Sequence, residues 1–367
     1  MTGWIGSWTR LAGRKPMLFR ASAVIVVLAV VVSGLAGARC LIGWWEGPKS
    51  IGVGIDGADA LAVSPDGRTL YAANWSEQGD AGGVTVVDLA TGRAGRRIDT
   101  GGPAVELTMM PGGRALYALV EPDDGSARLV RIRLTPQRAQ QQFTFRNGAE
   151  GMVAAPAGSR LYVLAAASRH SAAVIPVDTE SGQDDQAIPV PPGSQAMAIS
   201  PDGRTLYIGA GSADGKGPGE VVPIDTRSGN AGTAVRFPHP VTGLAVSPDG
   251  HELFGLAPYQ CSGSVGCGGG CELAGIDITT GAAALTARLD SGCSQIQVAP
   301  DHRRLFVLNT ANSLTAVNSA TGKVEKTIRT TGFLAAPGDS DFLIAPDGRT
   351  VYVADQFRGV VVIPVAH

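Results

Sequence analysis

The chain has 367 residues, 30 of them basic and 32 acidic, for a formal net charge of −2. Only one acid but five basic residues precede Lys49, so the remainder is acidic, and it holds no basic run interleaved with aromatics; nucleic-acid binding has no electrostatic footprint here. Fifty glycines and 23 prolines fall in recurring turn phrases rather than in one block, which excludes a disordered low-complexity chain.

Residues 1–20 carry Arg10, Arg14, Lys15 and Arg20 and no acid, and residues 21–38 are uncharged and apolar. This pattern predicts a membrane-spanning segment with a cytoplasmic N-terminus and an exported remainder. Trp4 and Trp8 before the segment and Trp44 and Trp45 after it favour a retained anchor, with aromatic residues at both interfaces. The alternative is a cleaved signal, since Ala36-Gly37-Ala38 fits a small-residue cleavage site and would release a secreted protein. Arg39 stands just before Cys40, which argues against lipid attachment there. Residues 39–48 read as a short tether.

From residue 49 onward one phrase repeats. Ser64-Pro65-Asp66-Gly67-Arg68-Thr69-Leu70-Tyr71 returns at Ser200–Tyr207 and, slightly altered, at Ala345–Tyr352. Weaker copies begin at Pro111, Pro156, Pro248 and Pro300, and the seven prolines are spaced 46, 45, 45, 47, 52 and 46 residues apart. Within each repeat an apolar run enters the Pro-Asp-Gly turn, and a second run leaves it. A third run ends in a second turn phrase, such as Asp88-Leu89-Ala90-Thr91-Gly92, and a weaker fourth run closes the unit. Four short strands per repeat is the period of a propeller blade, so residues 49–367 are predicted to form an all-β, seven-bladed β-propeller. The last repeat stops after three strands, and Ser50–Ile55 reads as the missing fourth, which would close the ring.

The succession of Pro-Asp-Gly-Arg, Leu-Tyr-x-x-Asn and Asp-x-x-Thr-Gly resembles the YVTN-type β-propeller repeat. Tyr71–Asn74, Phe306–Asn309 and Tyr352–Asp355 stand at the position that names that family. The resemblance covers residues 49–367 and implies a fold more than an activity, because propellers host enzymes, binders and scaffolds alike.

Cys261, Cys267 and Cys271 share a Gly-rich stretch assigned to the loop between the second and third strands of blade 5, and Cys293 precedes the first strand of blade 6. In a propeller these segments open on one face, so the four thiols are expected to converge. Two disulfides are the expected outcome in an exported domain, with any of three pairings open; a four-thiolate zinc site is the alternative, although the spacings lack the usual C-x₂-C knuckles. The histidines, His170, His239, His251, His302 and His367, show no arrangement with a carboxylate and a nucleophile, so histidine catalysis is unsupported.

Asp59, Glu106, Glu150, Gln195, Gln295 and Asp341 stand five or six residues before the turn prolines, where they are expected to ring the mouth of the central channel. They are the candidate ligand-binding residues, against the plainer reading of a hydrated funnel. No cofactor is called for, although such a ring could accept a divalent cation. The turn aspartates are expected to be structural, each bonding its own backbone. The functional expectation is a non-catalytic extracytoplasmic binding or scaffold propeller that presents its loop faces to a protein, peptide or glycan. The alternative is a hydrolase similar to the lactonase propellers, whose calcium-binding members gather carboxylates at the channel, a role for which Glu106, Glu150 and Asp341 are the candidates here.

Overall fold

The structure is a computed structural model. It describes residues 49–365 apart from 53–56, 75–81, 123–124, 136, 147, 169–170, 212–216, 260–268, 311–312, 331–340 and 356–357. The expected membrane segment at 21–38, its basic flank and its tether lie outside the described residues, as do Cys40, Cys261, Cys267, His170 and His367. Among the described residues no helix is long and apolar enough to cross a membrane.

Seven antiparallel sheets of four strands follow one another along the chain. Blade 1 is typical, with strands Ala60–Val63, Thr69–Asn74, Gly83–Asp88 and Arg93–Asp99 from the centre outward. The innermost strands of blades 2 to 7 are Ala104–Met109, Ala149–Ala154, Ser194–Ile199, Gly243–Val246, Cys293–Val298 and Phe342–Ile344. Each innermost strand lies against those of the two neighbouring blades, and the last meets the first, so the ring is closed.

Closure uses both ends of the propeller. Blade 7 takes Phe342–Ile344, Thr350–Asp355 and Gly359–Pro364 from the C-terminus, and its outer strand, Lys49–Ile51, from the beginning of the domain. The register sets Lys49 opposite Val362 and Ile51 opposite Val360. Without this pairing the edge of Gly359–Pro364 would be left open.

The alternation of strand side chains divides the core. In blade 1, Ala60, Ala62, Tyr71 and Val84 face blade 2, where they pack on Leu107, Leu116, Val130 and Ile132. The intervening residues Leu61, Leu70, Ala72 and Val87 face blade 7 and pack on Leu343, Tyr352, Ala354 and Val360. A period of two thus sends each strand's apolar residues to both neighbours, and every one of the seven seams has its own buried cluster.

The two turn phrases close the same face of the disc, here called the turn face. In the first, Asp66 Oδ1 accepts the Ser64 hydroxyl at 2.5 Å and the Arg68 N–H at 3.1 Å, and the Thr69 N–H donates to Ser64 Oγ at 2.9 Å. These bonds hold the Asp66 carboxyl below its ordinary range, the Ser64 hydroxyl contributing most. Asp202 and Asp249 repeat the arrangement with Ser200 and Ser247. In the second turn, the Thr91 N–H and hydroxyl both donate to Asp88 Oδ1, and Gly92 takes a positive φ of 65°. The turn aspartates are therefore structural, as their pattern suggests.

Candidate functional site

The innermost strands decide which polar residues reach the channel. In each blade the residue four before the turn proline forms a non-hydrogen-bonded pair with the second strand, so its N–H and C=O point into the channel. Leu61, Leu107, Met152, Met197, Leu244, Ile296 and Phe342 hold this position. The side chain one residue earlier leans toward the next blade around the ring, where a polar group can reach that blade's inward N–H.

Three blades carry such a group. Asp341 Oδ2 accepts the Leu61 N–H at 2.8 Å, Glu106 Oε1 accepts the Met152 N–H at 3.2 Å, and Gln295 Oε1 accepts the Phe342 N–H at 3.0 Å. Gln295 also donates to Asp341 Oδ1 at 2.7 Å, linking blades 6, 7 and 1 in one chain of bonds. Gln297, two residues on, adds a second rung: it accepts from the Ile344 N–H at 3.2 Å and donates to the Phe342 carbonyl at 2.6 Å. In the other four blades the equivalent residues are Ala60, Gly151, Ala196 and Gly243, which have no side-chain acceptor.

The six channel-mouth residues expected from sequence therefore do not form one ring. A β-bulge at the start of the strand separates the offset of five residues from that of six. Pairing jumps from Ala149 to Gly151 and from Ser194 to Ala196, which leaves Glu150 and Gln195 as the extra residues, turned out to the exposed rim. Val105 and Ser294 are extruded in the same way. Asp59 is half-buried at the matching position, and its N–H donates to the Ala73 carbonyl at 3.0 Å. Only Glu106, Gln295 and Asp341 enter the channel. Gln297 joins them, and its distance of three from Pro300, on the same side of the strand as Gln295, is the signal that would have found it.

The two channel carboxyls are electrostatically unusual. Burial pushes Glu106 up to about 8; the Met152 N–H opposes the rise, and the charge of Asp341 adds to it. Asp341 is pushed up to about 6 by burial, against the lowering effect of the Leu61 N–H and of Gln295. Both side chains keep some surface open to the lumen, yet protein surrounds their carboxyl groups, and that enclosure controls the charge. At neutral pH Glu106 is mainly a neutral acid and Asp341 mainly a carboxylate.

Among the described residues no group of three His, Cys, Asp or Glu side chains could hold a metal ion. The Glu106, Glu150 and Asp341 set is broken by the bulge that carries Glu150 to the rim. His239 stacks near Tyr259 at 5.6 Å between ring centres, and His251 and His302 lie at the turn face. His302 takes the place of the turn glycine and adopts φ 59°, with Nδ1 3.6 Å from Asp249 Oδ2 of blade 5.

On the opposite face a disulfide joins Cys271 and Cys293, with Cα atoms 5.8 Å apart. Cys271 lies on the third strand of blade 5, Gly270–Asp277, rather than in the loop before it, because its backbone pairs with Pro258 and Leu289. The bond therefore ties blade 5 directly to the innermost strand of blade 6. Any pairing of Cys261 and Cys267 falls outside the described residues.

No family model matches the chain, and no curated protein does, so the YVTN-type repeat suggested by the motifs has no match of its own. Among solved structures the chain is similar to hydrazine synthase of Kuenenia stuttgartiensis, at 20% identity over 89% of this chain and 99% of that one, with a TM-score of 0.69. At that identity the likeness shows a shared propeller fold alone. In all, 1614 chains of solved structures match, a breadth that carries no single activity with it.

Proposed function

We propose that the chain is an extracytoplasmic binding propeller, held at a membrane by residues 21–38, that presents its two faces for recognition and does not catalyse a reaction in its channel. One observation carries this reading. Glu106, Gln295 and Asp341, the three expected residues that enter the channel, are each engaged with the backbone of the next blade. Groups committed to holding blades together are poorly placed to bind a cation or attack a substrate. The Cys271–Cys293 disulfide supports an oxidising compartment. The ligand sought is a protein, peptide or glycan met outside the cytoplasm.

A hydrolase of lactonase type is the second reading. It is favoured by one feature: two carboxyls with raised pKa share the channel, a pattern common at catalytic sites. Assay of the full chain against a lactone panel, with and without calcium, separates the two. The binding reading expects no hydrolysis and a melting temperature indifferent to calcium. Hydrolysis abolished by chelator and by Glu106→Gln would establish the hydrolase instead.

A further inference from the structure

Blade 2 departs from the repeat at both of its turns. Where blades 1, 4, 5 and 7 read Pro-Asp-Gly, blade 2 reads Pro111-Gly112-Gly113-Arg114. Its third strand, Ala127–Leu134, departs more sharply. The residue opposite the start of the second strand is Asp88 in blade 1, Asp178 in blade 3, Asp225 in blade 4, Asp277 in blade 5 and Asn318 in blade 6. In blade 2 it is Arg133, opposite Ala115. A carboxylate that caps its own turn has been exchanged for a cation.

The next strand out, Gln137–Phe145, deepens the change. Its Arg138 lies directly opposite Arg133, whereas in blade 1 the same row sets Asp88 against Arg93. Like charges facing across a ladder are destabilising. The Leu134 N–H donates to the Arg114 carbonyl at 3.3 Å, which brings Arg114 to the same corner. All three arginines are exposed, and among the described residues none is engaged in an ion pair. Asp178 stands across the seam in blade 3, but its carboxylate is already taken by the N–H and hydroxyl of Ser181. Every other blade keeps at least one aspartate in these two turns or beside them, so this is the one wholly basic corner of the turn face among the described residues.

The closing strand begins at that same face. Strand Gly359–Pro364 runs from the loop face toward the turn face, and Lys49–Ile51 is antiparallel to it, with Lys49 at the turn-face end. Ten residues, 39–48, separate this strand from the apolar run at 21–38, and ten residues reach at most about 35 Å.

We propose that Arg114, Arg133 and Arg138 form a docking surface for the headgroups of anionic phospholipids, seating the blade 2 corner of the turn face on the bilayer. The inference rests on the anchoring role given to residues 21–38. Guanidinium groups suit phosphate, which they meet with paired hydrogen bonds, and each basic group near an anionic surface is worth roughly fivefold in occupancy. The aspartate-bearing turns elsewhere on the face oppose a flat approach, so the propeller docks tilted, blade 2 foremost.

The test uses the full chain reconstituted in vesicles of phosphatidylcholine alone or with about 30% phosphatidylglycerol, read by amide hydrogen exchange across Ala127–Leu134 and Gln137–Phe145. The expected result is protection on the anionic vesicles only. High salt should remove it, and Arg114→Gln/Arg133→Gln/Arg138→Gln should reduce it roughly tenfold or more, while the control Arg236→Gln on blade 4 leaves it intact. Equal exchange on both vesicles would overturn the proposal. So would the same protection produced by soluble polyphosphate on neutral vesicles, which would assign the corner to a soluble polyanion. Flotation keeps the two readings apart. A chain that fails to float with neutral vesicles lacks the anchor; its arginine-dependent flotation with anionic vesicles would still support the corner, and failure there would overturn it.

Discussion

Asp341 and Leu61 are 280 residues apart in sequence, yet the Asp341 carboxylate accepts the Leu61 N–H at 2.8 Å across the seam where the ring closes. The same carboxylate takes the side-chain N–H of Gln295 at 2.7 Å from the other side. One residue thus connects blades 6, 7 and 1 at the channel wall, in the blade whose sheet the strand Lys49–Ile51 completes at the rim.

Removing that carboxylate leaves two donors without their acceptor in a partly enclosed site. Asp341→Ala is expected to destabilise the propeller by about 1–3 kcal/mol, the usual cost of a donor that loses its partner away from bulk water. Denaturant unfolding checks this. Hydrogen exchange should place the loosening in Ala60–Val63 and Phe342–Ile344, and a uniform loss across all blades would contradict the local account.

The two channel carboxyls predict how stability depends on pH. Both have folded pKa values above their ordinary ones, Glu106 at about 8 and Asp341 at about 6. Below about pH 3 the groups are protonated whether the chain is folded or not. As pH rises, the unfolded chain gives up these protons first, so the folded state is progressively disfavoured through pH 6 for Asp341 and pH 8 for Glu106. Glu106→Gln keeps an acceptor for the Met152 N–H but cannot ionise. The variant should gain on the order of 4 kcal/mol over the parent at pH 8 and match it near pH 4. Thermal melts across this range decide, and an unchanged slope would mean that Glu106 ionises freely.

The contrast between Glu106 and Glu150 shows how far the sequence reaches. The repeat of Pro-Asp-Gly turns sets the blades, their strands and the closing strand, because each phrase is a local instruction and period-two patterning does the rest. The channel residues are less legible. Glu106 stands five residues before its turn proline and Glu150 six, and one residue moves a side chain to the other side of a strand. The bulge that separates them has no composition of its own, since Val105, Glu150, Gln195 and Ser294 all occupy it. Nor does the sequence show that a carboxylate will be engaged by the backbone of another blade, a contact made only once the ring has closed.

His302 stores strain in the blade 6 turn. It adopts φ 59° where six blades place glycine, and a side chain in that region costs energy. Its approach to Asp249 is long, 3.6 Å, and both groups are well exposed, so the contact offers little in return. His302→Gly should therefore stabilise the propeller by about 0.5–1 kcal/mol. A melting temperature that falls instead would show that the histidine's contacts across the blade 5–6 seam outweigh the strain.

The disulfide closes a loop of 22 residues between two blades rather than within one. A cross-link of that span limits the unfolded chain by about 3 kcal/mol in the chain-entropy account. Both sulfurs lie in the buried cluster of the blade 5–6 seam, beside Leu273, Leu289 and Ile296, so the double variant Cys271→Ala/Cys293→Ala also leaves a small void there. The variant is expected to lose about 3–4 kcal/mol, and reductant should lower the parent's melting temperature by more than the variant's. Protease sensitivity should rise first in the Gly-rich stretch ahead of Cys271, whose C-terminal end the bond holds to the neighbouring blade. A parent protein indifferent to reductant would mean that the seam's apolar packing alone holds blades 5 and 6 together.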